Sequence, residues 1–155
     1  GYPLSVVLVA IDRYGQLAQW LEPERRARFV RAVWKAATRE ARDCDLSLQF
    51  ADDKLLMVLS HTSTSGAATL AERLGARISS IPPPPSLVEL KLTATIAVAG
   101  STGNDQLSLG ALLGQVSRAV RQVQRQGGNA VVVCSAGDQK LAARAGKLGD
   151  RICIL

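Results

Sequence analysis

The chain has 155 residues, a formal net charge of +6 and 47% hydrophobic residues, with aromatics at only 4%. That length suits one domain with a full core, and the apolar content excludes a disordered chain. No apolar run approaches the roughly 20 residues that cross a bilayer, and the positive charge favours anionic partners without naming one.

Residues 4–11 are almost wholly apolar and predict a central strand covered on both faces. They carry neither the basic leader nor the cleavage site of a secretory signal. Residues 12–21 predict a short helix or turn. Pro23 then opens a helix, with Glu22 and Glu24 at its positive end, that runs to about Asp43. Phe29, Val30, Val33, Trp34, Ala36 and Ala37 make its apolar stripe. Arg25, Arg26, Arg28, Arg31, Lys35, Arg39 and Arg42 are distributed along it as a solvated face or as a basic patch. No aromatic platform or nucleic-acid motif accompanies them, so DNA and RNA are not expected partners.

Leu46, Leu48 and Phe50 alternate with Ser47 and Gln49, the pattern of a half-buried strand. Ala51-Asp52-Asp53 predicts a tight hairpin loop, because Asp tolerates turn geometry, and residues 55–59 predict a buried partner strand. Residues 61–65 are loop, and His61 reads as a surface histidine rather than a catalytic one. Residues 66–80 predict an amphipathic helix carrying Leu70, Leu74 and Ile78. The four prolines at 82–85 predict an extended connector, a spacer rather than a ligand for aromatic grooves.

Residues 90–99 predict a strand, 100–106 a loop, and 107–126 a helix stopped by Gly127-Gly128-Asn129. Residues 130–134 predict a further buried strand, 138–147 a final helix and 151–155 a final strand. Cys44, Cys134 and Cys153 are odd in number and widely spaced, which fits a reducing compartment and neither a disulfide framework nor a metal site. There is no internal repeat and no domain boundary. The order β-α-α-β-β-α-β-α-β predicts an α/β fold with a mixed central sheet flanked by helices, of the palm or ferredoxin-like type. The expected organisation is one domain over 1–155, with its core at about 3–134 and a C-terminal extension at 135–155.

Five stretches, in this order and spacing, resemble the GGDEF domain, the diguanylate cyclase fold. Residues 3–12 match its opening strand, and Phe50-Ala51-Asp52-Asp53-Lys54-Leu55 falls where the family has Y-G-G-D/E-E-F. Leu70-Ala71-Glu72-Arg73 matches its A-E-x-L-R helix, residues 93–99 its T-x-S-x-G-V-A strand, and Gly127-Gly128-Asn129 its closing G-R-N. The departures from the family pattern cluster at the cyclase site. The loop glycines are Ala51 and Asp52, and the loop Glu is Lys54. The first metal-binding aspartate is Ala10, while Asp12 and Asp53 remain. The guanine-reading residues fall at Ala18 and Ala27, and the triphosphate-holding cations at Gln124 and Gly128. Since Mg²⁺ on a triphosphate needs more than one well-placed carboxylate, the resemblance with these departures implies a domain that is not an enzyme. It would have no catalytic residues, no metal and no cofactor, and a degenerate loop at Ala51, Asp52, Asp53, Lys54 and Leu55.

The family's inhibitory site, R-x-x-D five residues ahead of the loop motif, is kept as Arg42 and Asp45, with Arg73 in the place of its second arginine. The resemblance implies that cyclic di-GMP binds there as an intercalated dimer. The chemistry suits it: a guanidinium fork pairs with guanine O6 and N7 or clamps a phosphodiester, and a carboxylate accepts from the N1–H and N2–H edge. Read without the family, Arg42 and Asp45 are better explained as a surface ion pair capping a helix C-terminus. The function implied is a cyclic di-GMP receptor in bacterial second-messenger signalling that relays to another domain or a partner protein, with homodimerisation open. The alternatives are a nucleotide-free interaction or dimerisation module, and a domain binding GTP in the old cleft. The expected setting is cytoplasmic, alone or as the cytoplasmic part of a membrane-associated protein, with no membrane insertion of its own.

Overall fold

A computed structural model describes residues 1–87, 89–104 and 107–135, together with the backbone of Ile152–Ile154. The helix expected at 138–147 lies outside the described residues. Strand β1 (Leu4–Ile11) is followed by helices α1 (Tyr14–Trp20) and α2 (Pro23–Thr38), the hairpin β2 (Leu46–Ala51) and β3 (Lys54–Ser60), and α3 (Thr64–Ser79). Strand β4 (Ala94–Ser101), α4 (Leu109–Arg125), β5 (Val131–Val133) and β6 (Ile152–Ile154) complete the chain. The strands form one mixed sheet in the order β2-β3-β1-β4-β5-β6. Its first four strands are antiparallel neighbours, and β5 and β6 join in parallel. This is the mixed α/β palm-like fold expected.

Strand alternation divides β1 between two cores. Val7, Val9 and Ile11 face α2 and α3, where they meet Val33, Trp34, Leu74 and Ile78. Val6, Leu8 and Ala10 face α4, where they meet Leu112, Val116 and Val120. A strand apolar on both sides is therefore what a sheet with helices on both faces requires. Pro23 occupies the first turn of α2 with Glu24 beside it, and Ser63 caps α3 by accepting from Gly66 N at 3.1 Å. No helix of the described residues is long and apolar enough to cross a membrane.

Three expectations are corrected. Helix α2 ends at Thr38, not near Asp43, because the chain turns there: Glu40 N donates to Ala37 O and Ala41 N to Thr38 O, and Asp45 closes a further turn on Arg42. Arg42 and Asp45 thus sit on a loop between α2 and β2. The strand expected from residue 90 begins only at Ala94. In β2 the alternation is real, but its apolar side is not buried: Leu46, Leu48 and Phe50 are 52%, 47% and 57% exposed. Leu46 and Leu48 line up with Val58 and Leu56 on the α4 side of the sheet, and α4 lies over β1 and β4, short of this edge. The two hairpin residues Asp52 and Asp53 both keep negative φ, so the turn is not the mirror-image type usual in two-residue hairpins. An irregularity between Gln49 and Ala51 takes up the twist instead.

Burial pushes the Cys134 thiol up to about 11 from 9.0, against a small opposing effect of Arg118. The raised value favours the protonated thiol in the fold, so this contribution is complete below pH 9 and is lost as pH rises toward 11. Denaturant unfolding at pH 8 and pH 11 should show wild type losing about 2–3 kcal/mol more than Cys134→Ala. An equal loss in both would contradict the burial of this thiol.

Candidate functional site

The end of β1 is built around Asp12. Its carboxylate is almost fully buried and accepts four hydrogen bonds. Oδ2 receives Thr93 Oγ1 at 2.7 Å and Asn129 N at 2.8 Å. Oδ1 receives Thr95 Oγ1 at 2.6 Å and Gln124 Nε2 at 3.2 Å. Gly128, at φ +66, passes beside the same group, and a Cβ there would land on Asp12 Oδ1. The two positions that in the family hold the triphosphate thus carry an amide that donates to Asp12 and a glycine that packs on it.

Asp53 is tied to its neighbour: Lys54 Nζ lies 3.3 Å from both of its oxygens, while its backbone oxygen accepts from Ile11 N at 2.9 Å. Leu55 is buried in the core. Ala10 is buried on the α4 side. A Mg²⁺ ion, which the family implies, needs oxygen donors with lone pairs to spare. Asp12 has committed its oxygens to four donors and Asp53 faces an ammonium, so this donor set does not fit the ion. Among the described residues no three His, Cys, Asp or Glu side chains stand together as a metal site.

Beside the loop lies a cavity of about 400 Å³ lined by Tyr14, Arg26, Ala27, Arg31 and Asp52, among others. Ala27 offers no hydrogen bond, and Ala18 contributes only its carbonyl, which accepts from Arg26 Nη1 at 3.1 Å. Burial, with the Asp52 carboxylate close by, pushes the Tyr14 hydroxyl upward, against Arg26. Ala51 pairs with Lys54 across the hairpin, and Asp52 O accepts from Trp34 Nε1 at 3.3 Å.

The opposite end of the hairpin is differently equipped. Arg42, Asp45 and Arg73 line one cavity of about 390 Å³, so the structure brings together all three residues selected from the sequence. Asp45 Oδ2 accepts from Arg42 N at 2.9 Å and lies 3.5 Å from Arg42 Nε. The Asp45 side chain is 2% exposed and that of Arg42 59%, so the carboxylate anchors a guanidinium that reaches outward. Arg42 Nη2 also donates to Thr62 Oγ1. Thr62 is itself fixed: its hydroxyl donates to Ser60 O at 2.9 Å and its carbonyl accepts from Ser5 Oγ at 2.7 Å.

Sequence reasoning missed Glu40 and Arg77 here. Glu40 lies 3.7 Å from Arg73 Nε and 2.7 Å from Arg77 Nη2, and it also accepts from Arg77 Nε at 2.8 Å. The spacing of Arg73 and Arg77, one helical turn apart, is the signal that marks them as neighbours on α3. Nothing in the sequence pairs them with a glutamate beyond the end of α2. His61 is exposed at φ +51, lines the same cavity and sets its ring 4.3 Å from that of Tyr2.

The family model for the diguanylate cyclase GGDEF domain matches residues 1–130. No curated protein matches. Among solved structures, the active GGEEF domain of a diguanylate cyclase from Vibrio cholerae is 17% identical with a TM-score of 0.70, covering 85% of this chain and 83% of that one. The GGDEF domain of DgcB from Caulobacter crescentus, in complex with c-di-GMP, is 18% identical with a TM-score of 0.70 and coverages of 84% and 77%. The diguanylate cyclase SiaD of Pseudomonas aeruginosa, in complex with its activator SiaC, is 17% identical with a TM-score of 0.75, over 86% of this chain and 50% of that one. The expectation of a non-enzyme is overturned by these matches, since the family model is that of an enzyme and an active cyclase domain shares the fold.

Gly128→Ala should destabilise the fold by about 2–4 kcal/mol, since it adds both left-handed strain and a clash with Asp12. Gly127→Ala, at φ +115 with open space around it, should cost about 1–2 kcal/mol. Equal losses in chemical denaturation would show that the Asp12 contact contributes nothing.

Proposed function

This chain belongs to the GGDEF family of diguanylate cyclases, and on that premise we propose that it is a cyclic di-GMP receptor domain. The dinucleotide binds at the cavity of Arg42, Asp45 and Arg73, and its level is relayed to a partner domain or protein. The observation that carries this reading is the convergence of those three residues, from two separate segments, on one cavity. Two outward guanidiniums supply the fork that suits guanine O6 and N7 and the phosphodiester. Asp45 Oδ2 is occupied by Arg42, whereas Oδ1 meets the Cys44 thiol at 3.8 Å, a weak donor that a guanine N1–H displaces readily. Loop residues pinned by Ser5, Ser60 and Thr62 hold Arg42 in place before ligand arrives, which lowers the ordering cost of binding. The c-di-GMP complex of the Caulobacter domain, a protein of the same fold, supports the choice of ligand.

A second reading, an interaction module that needs no nucleotide, is favoured by one observation: the exposed apolar row of Leu46, Leu48 and Phe50 on an edge strand. A partner recognised there would dock independently of Arg42.

The two readings separate in a calorimetric titration of cyclic di-GMP into wild type and Arg42→Ala, with GTP as the comparison ligand. The receptor reading expects saturable binding at micromolar concentration or tighter, near two dinucleotides per chain. Arg42→Ala should weaken it at least tenfold, the equivalent of about 1.4 kcal/mol. Folded wild-type protein that gives no heat at high ligand concentration would refute the receptor reading and leave the interaction module in its place.

A further inference from the structure

The dinucleotide site contains a carboxylate that its proposed ligand does not need. Glu40 lines the cavity beside Arg42, Asp45 and Arg73. It is largely buried, at 16% side-chain exposure, while Arg73 and Arg77 are 62% and 45% exposed. Its two oxygens are divided unequally. Oε1 is held at 2.7 and 2.8 Å by two nitrogens of Arg77, whereas Oε2 lies 3.7 Å from Arg73 Nε. The close, two-nitrogen contact belongs to the arginine outside the proposed ligand-reading set, and the loose one to the arginine inside it.

From this division we infer that Glu40 sets the affinity of the site by competing with the ligand for Arg73, and that Arg77 is a positioning residue that holds Glu40 partly away from it. The inference rests on the receptor reading above. A phosphodiester arriving at Arg73 meets a guanidinium already facing one anion, and it also meets that anion's repulsion at short range. Neutralising Glu40 removes both obstacles. Removing Arg77 does the reverse, because Glu40 then turns both oxygens onto Arg73. The geometry therefore gives two charge-removing substitutions, one at Glu40 and one at its partner Arg77, opposite effects on one ligand.

Calorimetry of cyclic di-GMP with the full chain tests this in wild type, Glu40→Gln, Arg77→Gln and the double variant. Glu40→Gln should bind about three- to tenfold more tightly and Arg77→Gln about three- to tenfold more weakly, as expected for one partly exposed charge contact. In the Glu40→Gln background, Arg77→Gln should change nothing, since its effect passes through Glu40. The gain in Glu40→Gln should shrink at high salt, because Arg73 is exposed to screening, a dependence that a merely structural role would not produce. Unchanged or weaker binding by folded Glu40→Gln overturns the competitor role. Equal weakening by Arg77→Gln in both backgrounds makes Arg77 a direct ligand contact and overturns its positioning role. If Glu40→Gln fails to fold, Arg77→Gln alone decides, and unweakened binding by it overturns the inference. Absence of binding by wild type itself refutes the receptor reading, a result distinct from all of these.

Discussion

One buried carboxylate organises the sheet. Asp12, at the end of the central strand, takes hydrogen bonds from Thr93 and Thr95 at the start of β4, from Gln124 on α4 and from the backbone of Asn129 ahead of β5. A carboxylate withdrawn from water is tolerated only where donors replace the lost solvent. Here every donor is neutral, and the four come from three separate segments of the chain. The consequence is a closed knot where β1, β4, α4 and the β5 approach meet. Gly128 has to be glycine there because its backbone passes against the carboxylate itself.

The two ends of the hairpin differ in how their charges are met. At the Asp12 end both carboxylates are already met: Asp53 by the Lys54 ammonium, Asp12 by its four neutral donors. At the far end Arg42 and Arg73 project outward, held at their bases by Asp45, Thr62 and Glu40. The seven residues of β3 join the two ends, a span of roughly 20 Å at strand rise. Because β3 pairs along its whole length with β1, a push on the Thr62 loop reaches the hairpin turn through a rigid strand rather than a flexible one.

Much of this was legible in the residues. The apolar run of β1, the Pro23 start of α2 and the stop at Gly127-Gly128 each follow from local chemistry that tertiary packing has no reason to oppose. Where the reading failed, a long-range cause is identifiable. Alternation in β2 shows that the strand has two faces, but not which face a distant helix covers, and α4 stops short of it. The end of α2 is set by Asp45 folding back on Arg42 N, a contact that helical periodicity does not register. The triad of Arg42, Asp45 and Arg73 is legible through the resemblance to the GGDEF family, with the register against the hairpin in support. Glu40 is not, because its partners come from α3, more than thirty residues later (Glu40 to Arg77 spans 37 positions).

The apolar row of β2 has an implication for what shapes this surface. Leu46, Leu48 and Phe50 are about half solvated, so folding gains little from their side chains, and a polar residue at Leu48 would leave the core untouched. They also lie on an uncharged strand at the open margin of a sheet, where natural proteins ordinarily place lysine, proline or a covering segment to discourage edge-to-edge association. Among the described residues nothing covers this margin, so an isolated domain carries an interfacial tension there. Its behaviour in concentrated solution will be governed by that margin more than by the thermodynamics of its core.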